Sequence, residues 1–205
     1  LIGNETVTLT QDVNSGTFQY IGNGSTTTRT IIDFGATDYY NLIINGTGGT
    51  PDVFQSNGDL TAANNVTVTA GTLNVSTNVD TLTVGAALTV NGGTLTATNG
   101  NIDANGTVTI SSGTLTAPAS GQSFTIADDL TFSGGTFTHS SGTVTLDSAA
   151  AATIVGNMTF NNLTSTTGGK NIIFTAGSNQ TIVGTLTIQG ASGNNIVLSS
   201  SVGGS

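Results

Sequence analysis

The sequence predicts an all-β fold, a right-handed parallel β-helix (β-solenoid) with about three short strands in each coil of 20–22 residues. Three observations lead to this prediction. The composition favours strands over helices, apolar and polar residues alternate within short segments, and equivalent residues recur at a fixed step along the chain.

The composition is unusual for a soluble domain. Only 6% of the 205 residues are charged, against about 25% in ordinary domains, whereas 36% are hydrophobic and 29 are glycine. Thr, Val, Ile and Asn are poor helix formers and glycine is worse, so helices are disfavoured. Disorder would require scarce apolar residues, and here they are frequent and regularly placed. The composition therefore indicates a folded β protein.

From residue 65 onward, each cycle of sequence contains three short strands that end at Gly, Asn or Ser. Because apolar and polar residues alternate, each strand has one buried and one solvent-facing side. The residues predicted to face inward are Val66, Val68, Leu88, Val90, Val108, Ile110, Leu130 and Phe132 in the first strand, Leu73, Val75, Leu95, Ala97, Leu115, Ala117, Phe137 and His139 in the second, and Leu82, Val84, Ile102, Ala104, Phe124, Ile126, Val144 and Leu146 in the third.

Three series of residues define the period. They are Thr67, Thr89, Thr109 and Thr131; Thr72, Thr94, Thr114 and Thr136; and Leu82, Ile102, Phe124 and Val144. The first two series step by 22, 20 and 22 residues, and the third by 20, 22 and 20. A β-sandwich also contains short strands between turns, but it does not require like residues at a fixed step. The period therefore favours a solenoid, whose coils bury their inward side by stacking.

The chain is predicted to be one continuous solenoid over residues 1–205. Within it, residues 1–64 are richer in aromatics and residues 65–148 hold the most regular coils. Residues 149–205 partly repeat the 39–70 region at an offset of about 120, since YYNLIINGTGG at 39–49 is similar to FNNLTSTTGG at 160–169. We therefore expect the chain to be part of a longer repetitive array.

The strings SGGTFTHSSGTVTLD, FNNLTSTTGG and GTLTI resemble the Thr/Gly-rich strand repeats of large bacterial surface proteins, similar to filamentous-haemagglutinin-type adhesins and autotransporter passenger domains. The resemblance extends from about residue 16 to 198, although no secretion domain or recognisable cap accompanies it. It implies an extracellular or cell-surface location and a structural role as the stalk or filament segment of an adhesin, without catalysis.

The charge pattern excludes several kinds of partner. The formal net charge is −9, and Arg29 and Lys170 are the only fixed cations. Nucleic acid requires a basic face to neutralise phosphates, and anionic membrane surfaces are disfavoured for the same reason. No apolar run approaches the roughly 18 residues of a membrane span, so no membrane insertion is expected.

No enzyme, cofactor or metal site is expected. His139 is the only histidine and cysteine is absent, so zinc ligands are lacking. Asp128 and Asp129, or the segment 12–16, could offer oxygens to calcium, but turn roles explain them better. A polysaccharide-cleaving enzyme would use an acid such as Asp103, yet two cations provide little for a substrate groove.

Two groups of residues are candidates for binding. Outward threonines would form a flat ladder, which makes a glycan-binding or ice-binding module the alternative function; they are Thr94, Thr96, Thr114, Thr116, Thr136 and Thr138. Tyr20, Tyr39 and Tyr40 could instead pack at a junction or on a partner, although packing in the core is the simpler role.

The ends of the sequence look uncapped. Leu1 and Ile2 are apolar, and the segment from Ile196 onward is uncharged and strand-like. Because solenoid ends are normally blunted, we expect both to be covered, by a second copy stacked head to tail along the rod axis or by further repeats of the same chain. Surface glycans are the other partner considered.

Overall fold

The computed structural model describes residues 13–22, 24, 27–47 and 52–203. These residues form 22 strands and no helix, and every pair of strands that shares a ladder is parallel. The strands stack in about eight coils. The predicted parallel β-solenoid is therefore confirmed.

Each coil visits three faces in the same order. The first face is made of β1 (Thr17–Ile21), β3 (Asn41–Asn45), β6 (Val66–Ala70), the first halves of β9 (Leu88–Thr96) and β11 (Val108–Thr116), β13 (Leu130–Phe132), β16 (Ala152–Val155), β19 (Asn171–Phe174) and β22 (Val197–Ser200). The second face is made of β2 (Thr28–Thr30), β4 (Val53–Gln55), β7 (Thr72–Asn74), the second halves of β9 and β11, β14 (Thr136–Thr138), β17 (Met158–Phe160) and β20 (Gln180–Ile182). The third face is made of β5 (Leu60–Ala62), β8 (Thr81–Val84), β10 (Asn101–Ala104), β12 (Ser123–Ile126), β15 (Thr143–Leu146), β18 (Asn162–Ser165) and β21 (Leu186–Ile188).

The predicted register is confirmed residue by residue. Thr67, Thr89, Thr109 and Thr131 are successive ladder partners on the first face. The series from Thr72 to Thr136 does the same on the second face, and the series from Leu82 to Val144 on the third. The fixed step in the sequence is therefore the length of one coil.

The inward side of each strand forms one apolar core along the axis. Of the 24 residues predicted to face inward, all are buried except Phe132, Phe137 and His139, which are half-buried. These three belong to one coil, β13 and β14, beside the place where the second face is interrupted. There β17 and β20 form a separate two-stranded sheet that does not pair with β14.

Glycines mark the corner between the first and second faces. Gly113 has a φ of +74°, and a Cβ built on it would lie 2.1 Å from the carbonyl oxygen of Gly93 in the preceding coil. A side chain at this corner would therefore block the stacking of consecutive coils. Gly71 and Gly135 occupy the same corner with φ of +75° and +80°.

The predicted coil length holds in the centre and lengthens towards both ends. Thr17 pairs with Asn41, a step of 24 residues, and Ile172 pairs with Leu198, a step of 26. The extra residues lie in the corners, because strand pairing leaves no room for insertions within a face.

The segments related by an offset of about 120 residues lie on different faces. NLII of residues 41–44 lies in β3 on the first face, and NLTS of residues 162–165 forms β18 on the third. The second matched pair, β6 and β21, is displaced in the same sense. The similarity therefore belongs to a strand–turn unit rather than to a whole coil, and a longer array of 120-residue units stays a prediction.

The last described coil leaves its inward residues uncovered. Leu163 and Ile172 are 1% and 0% exposed, whereas their ladder partners one coil later, Leu186 and Leu198, are 52% and 54% exposed. Inward burial in this fold thus requires a coil on both sides.

Candidate functional site

The predicted threonine ladder forms two adjacent columns on the second face. Thr94, Thr114 and Thr136 pair in one column, and Thr96, Thr116 and Thr138 pair in the next. Thr72 extends the first column by one coil, and Asn74 takes the corresponding place in the second. The structure thus brings all six predicted threonines together on one surface.

This surface has definite limits. Val53 and Gln55 precede the columns in β4, and the columns end at the break between β14 and β17. Its threonines range from half-buried, for those in β9 and β11, to exposed, for Thr136 and Thr138. Four consecutive coils therefore carry the array, which corresponds to three strand spacings of about 4.8 Å each.

The third face also carries threonine, but its columns are mixed. One column runs through Thr61, Thr83, Asp103, Thr125, Thr145, Thr164 and Thr187, and the other contains Asn101, Ser123 and Asn162 besides threonine. The second face is therefore distinguished by two uninterrupted threonine columns. Because threonine has few χ1 rotamers, such columns hold hydroxyl and methyl groups at a regular spacing.

Tyr20 and Tyr39 lie at the N-terminal end of the described core, joined by a closed ring of hydrogen bonds. Ile32 N donates to Tyr20 Oη at 2.9 Å, and Tyr39 Oη donates to Ile32 O at 2.6 Å. The hydroxyl oxygens are 2.7 Å apart. Since the Tyr39 proton is committed to the carbonyl, Tyr20 is the donor to Tyr39. Both hydroxyls and the Ile32 backbone groups are thereby satisfied.

Burial raises the pKa of Tyr39, which is 2% exposed, and the pKa of Tyr20. The rings of Phe18, Phe34 and Phe54 pack around this pair at centroid distances of 5.1–5.7 Å. Tyr40 is half-buried and contributes to none of these ring contacts between described residues. Two of the three predicted tyrosines therefore pack in the core, and a role at a junction stays a prediction for all three.

The other polar residues singled out in the sequence lie apart from one another. His139 is half-buried after β14 and accepts a hydrogen bond from Ser141 N at 3.3 Å. Asp129 accepts one from Thr153 N at 2.6 Å, as a corner residue does, and Asp103 accepts one from Thr125 Oγ1 at 2.8 Å. Among the described residues, no three His, Cys, Asp or Glu side chains converge on a possible metal position.

Both cations serve buried roles that the sequence analysis missed. Arg29 occupies an inward ladder position, paired with Phe54, and its Nε lies 3.8 Å from Asp52 Oδ1. Lys170 is fully buried, and its Nζ donates to Ser148 O and Ala150 O, both at 2.9 Å. Burial lowers the pKa of Lys170. The alternation in Thr28–Thr30 could have revealed Arg29, whereas no local pattern indicates Lys170.

Three carboxylates are also buried in the first coils. Asp38 accepts hydrogen bonds from Phe34 N at 2.7 Å and Thr61 N at 2.6 Å, and burial raises its pKa. Asp80 accepts one from Ser56 Oγ at 2.7 Å. Asp52 accepts one from Gly24 N at 3.0 Å besides facing Arg29. These groups fasten corners and loops to neighbouring coils rather than converging on a common position.

Comparisons with known proteins add no relative. Neither the protein-family models, nor the curated proteins, nor the solved structures contain a match to this chain. In the part of the chain that the structure describes, no helix is long and apolar enough to cross a membrane.

Replacing Tyr39 with phenylalanine tests the hydrogen-bonded ring. Tyr39→Phe leaves Ile32 O without its donor, so we expect the free energy of unfolding to fall by about 1–3 kcal/mol at neutral pH. Tyr40→Phe is the control and should change it by less than about 0.5 kcal/mol. Urea unfolding measures both.

The same comparison has a pH dependence. A tyrosine whose folded pKa is raised contributes stability that is present below the unfolded pKa of about 10 and lost as pH rises above it. The difference between wild type and Tyr39→Phe should therefore shrink above about pH 10. A difference that does not vary with pH, or an equal cost for Tyr40→Phe, would contradict this interpretation.

Proposed function

We propose that this chain is a structural segment of a bacterial surface protein, a stalk or filament piece that acts by reach, axial stacking and adhesion. The observation that carries the proposal is the continuous stack of about eight coils around an apolar core. The coils repeat without concentrating polar groups at any one position, as is typical of a load-transmitting spacer. The similarity of the Thr/Gly-rich strings to surface repeats supports the extracellular assignment.

The described coils extend about 40 Å at a rise of one strand spacing per coil. Each added coil lengthens the rod by the same increment and needs only its neighbours for stability. The abundance of threonine and asparagine keeps the outer surface polar at a low density of charge. Partners in this proposal are further coils, from the same chain or from a second copy, and surface glycans.

Surface labelling tests the location. Antibodies raised against the purified chain should bind intact cells of the organism that carries the gene, because a stalk segment is displayed outside. Permeabilised cells provide the control for total antigen. Labelling that appears only after permeabilisation would overturn the extracellular proposal.

Axial stacking is tested with two lysine substitutions on one strand. Leu198 faces inward and Val197 faces outward, and they are 54% and 52% exposed. We expect the purified chain to self-associate as concentration rises in sedimentation experiments. Leu198→Lys should abolish association, because it places a charge where a further coil would stack, and Val197→Lys should leave it intact. A wild-type monomer at all concentrations would contradict stacking between copies.

The two threonine columns of the second face favour a second candidate, a binding module for ice or for glycans. Regular hydroxyls on a flat, stiff surface can order water or meet sugar hydroxyls without losing much side-chain entropy. No other described face carries two such columns uninterrupted over four coils.

Ice-recrystallisation inhibition and a glycan array test this candidate. Thr114→Lys interrupts the centre of the columns and should abolish any activity that depends on them. Thr145→Lys makes the same change on the third face and should leave the activity unchanged. Wild-type inactivity in both assays, or equal effects of the two substitutions, would eliminate the binding module.

A further inference from the structure

Asparagine followed by glycine is the dipeptide whose side chain most readily reacts with its own backbone, because glycine leaves the following N–H unshielded. The chain contains six such pairs, at Asn23, Asn45, Asn57, Asn91, Asn99 and Asn105. The first lies outside the described residues. The structure separates the remaining five by the state of the glycine N–H.

Two pairs are protected by hydrogen bonds. Gly46 N donates to Ala70 O at 2.8 Å, and Gly100 N donates to Ala97 O at 3.0 Å. Both glycines are also buried. A third pair, Asn91–Gly92, lies within β9, where pairing with β11 fixes the backbone. Attack by these amides would first require a backbone bond or a strand pair to break.

Asn105–Gly106 differs from these pairs. Asn105 is exposed at the corner between β10 and β11, and within the described part of the chain neither its side chain nor Gly106 N has a hydrogen-bond partner. The two preceding coils do bond the N–H at this corner: Asn64 N donates to Tyr40 O at 2.9 Å, and Ala86 N to Asn64 O at 2.8 Å. The free N–H is therefore a property of this coil.

Asn57–Gly58 has a free N–H as well, but it faces a carboxylate. A Cβ built on Gly58 would lie 2.9 Å from Asp33 Oδ2. A negative charge beside an amide opposes the loss of its proton. Asn105 is consequently the more reactive of the two.

We propose that Asn105 is a site of spontaneous deamidation in the folded protein. Hydroxide removes the Gly106 N–H proton, and the nitrogen bonds to the Asn105 side-chain carbon while ammonia leaves, closing a succinimide. Water then opens the ring at either carbonyl to give aspartate or isoaspartate. The net reaction consumes one water, releases one ammonia and adds one negative charge to a formal net charge of −9.

The isoaspartate product affects the stack. It lengthens the backbone at a corner where Gly106 already lies against Ala86, since a Cβ on Gly106 would be 2.3 Å from Ala86 O. Asn105 N also donates to Val84 O at 2.8 Å, a bond that the longer backbone displaces. Deamidation therefore acts as a slow chemical mark on one coil.

Peptide mapping by mass spectrometry tests the proposal. The folded chain is incubated in mildly alkaline buffer and digested with pepsin, whose low pH stops the reaction. We expect deamidation at Asn105 to exceed that at Asn45 and Asn99 by about tenfold, the rate equivalent of one hydrogen bond that need not break. In urea, where the hydrogen bonds are absent, the three sites should react at similar rates.

Two glutamine variants complete the test. Asn105→Gln should remove the more acidic species that ion exchange resolves, because the longer side chain closes a less favourable ring. Asn99→Gln should leave that species unchanged. Equal rates at Asn45, Asn99 and Asn105 in the folded protein, or an acidic species that survives Asn105→Gln, would overturn the proposal.

Discussion

Parallel pairing of each strand with its counterparts one coil earlier and one coil later is the constraint on which this structure depends. Because the pairing is in register, each residue stacks on the equivalent residue of the next coil, so a column has one chemical character along the axis. Leu88, Val108 and Leu130 extend the core in this way, and Thr89, Thr109 and Thr131 extend the surface. The same constraint requires glycine where the backbones of adjacent coils meet at a corner, as at Gly113.

Polar groups enter the interior only where a side chain fastens one part of a coil to another. The ring formed by Ile32, Tyr20 and Tyr39 closes the first described coil, and Asp38 holds the backbone of β5. Lys170 fixes the loop that carries Ser148 and Ala150. Such groups compensate their loss of hydration by direct hydrogen bonds, which is the condition for burying them. They lie towards the two ends of the described stack, where coils are longer and less regular.

The regular part of the fold could be predicted from the sequence because one rule, a fixed step with alternating polarity, determines both strand and register. The pairing of Leu82, Ile102 and Phe124 follows from counting. The break between β14 and β17 does not, since Met158–Phe160 alternates like any other strand. Lys170 and Asp52 were also beyond prediction, because their partners come from neighbouring coils whose corners vary in length.

The threonine columns could be predicted as a set, yet their limits could not. Thr136 and Thr138 are at the edge of the array only because the next strand of the second face does not pair with them. The same holds for the tyrosines, whose aromatic character was visible whereas the donor and acceptor order among them depends on Ile32, a residue without any sequence signal.

The burial of the two cations bears on the durability of the chain outside a cell. Trypsin-like proteases cut after lysine or arginine and need that residue in an extended, accessible segment. Lys170 is fully buried with its amine held by two carbonyls, and Arg29 is an inward residue of β2. No other lysine or arginine occurs in the 205 residues, so digestion by this class of enzyme must wait for a coil to open.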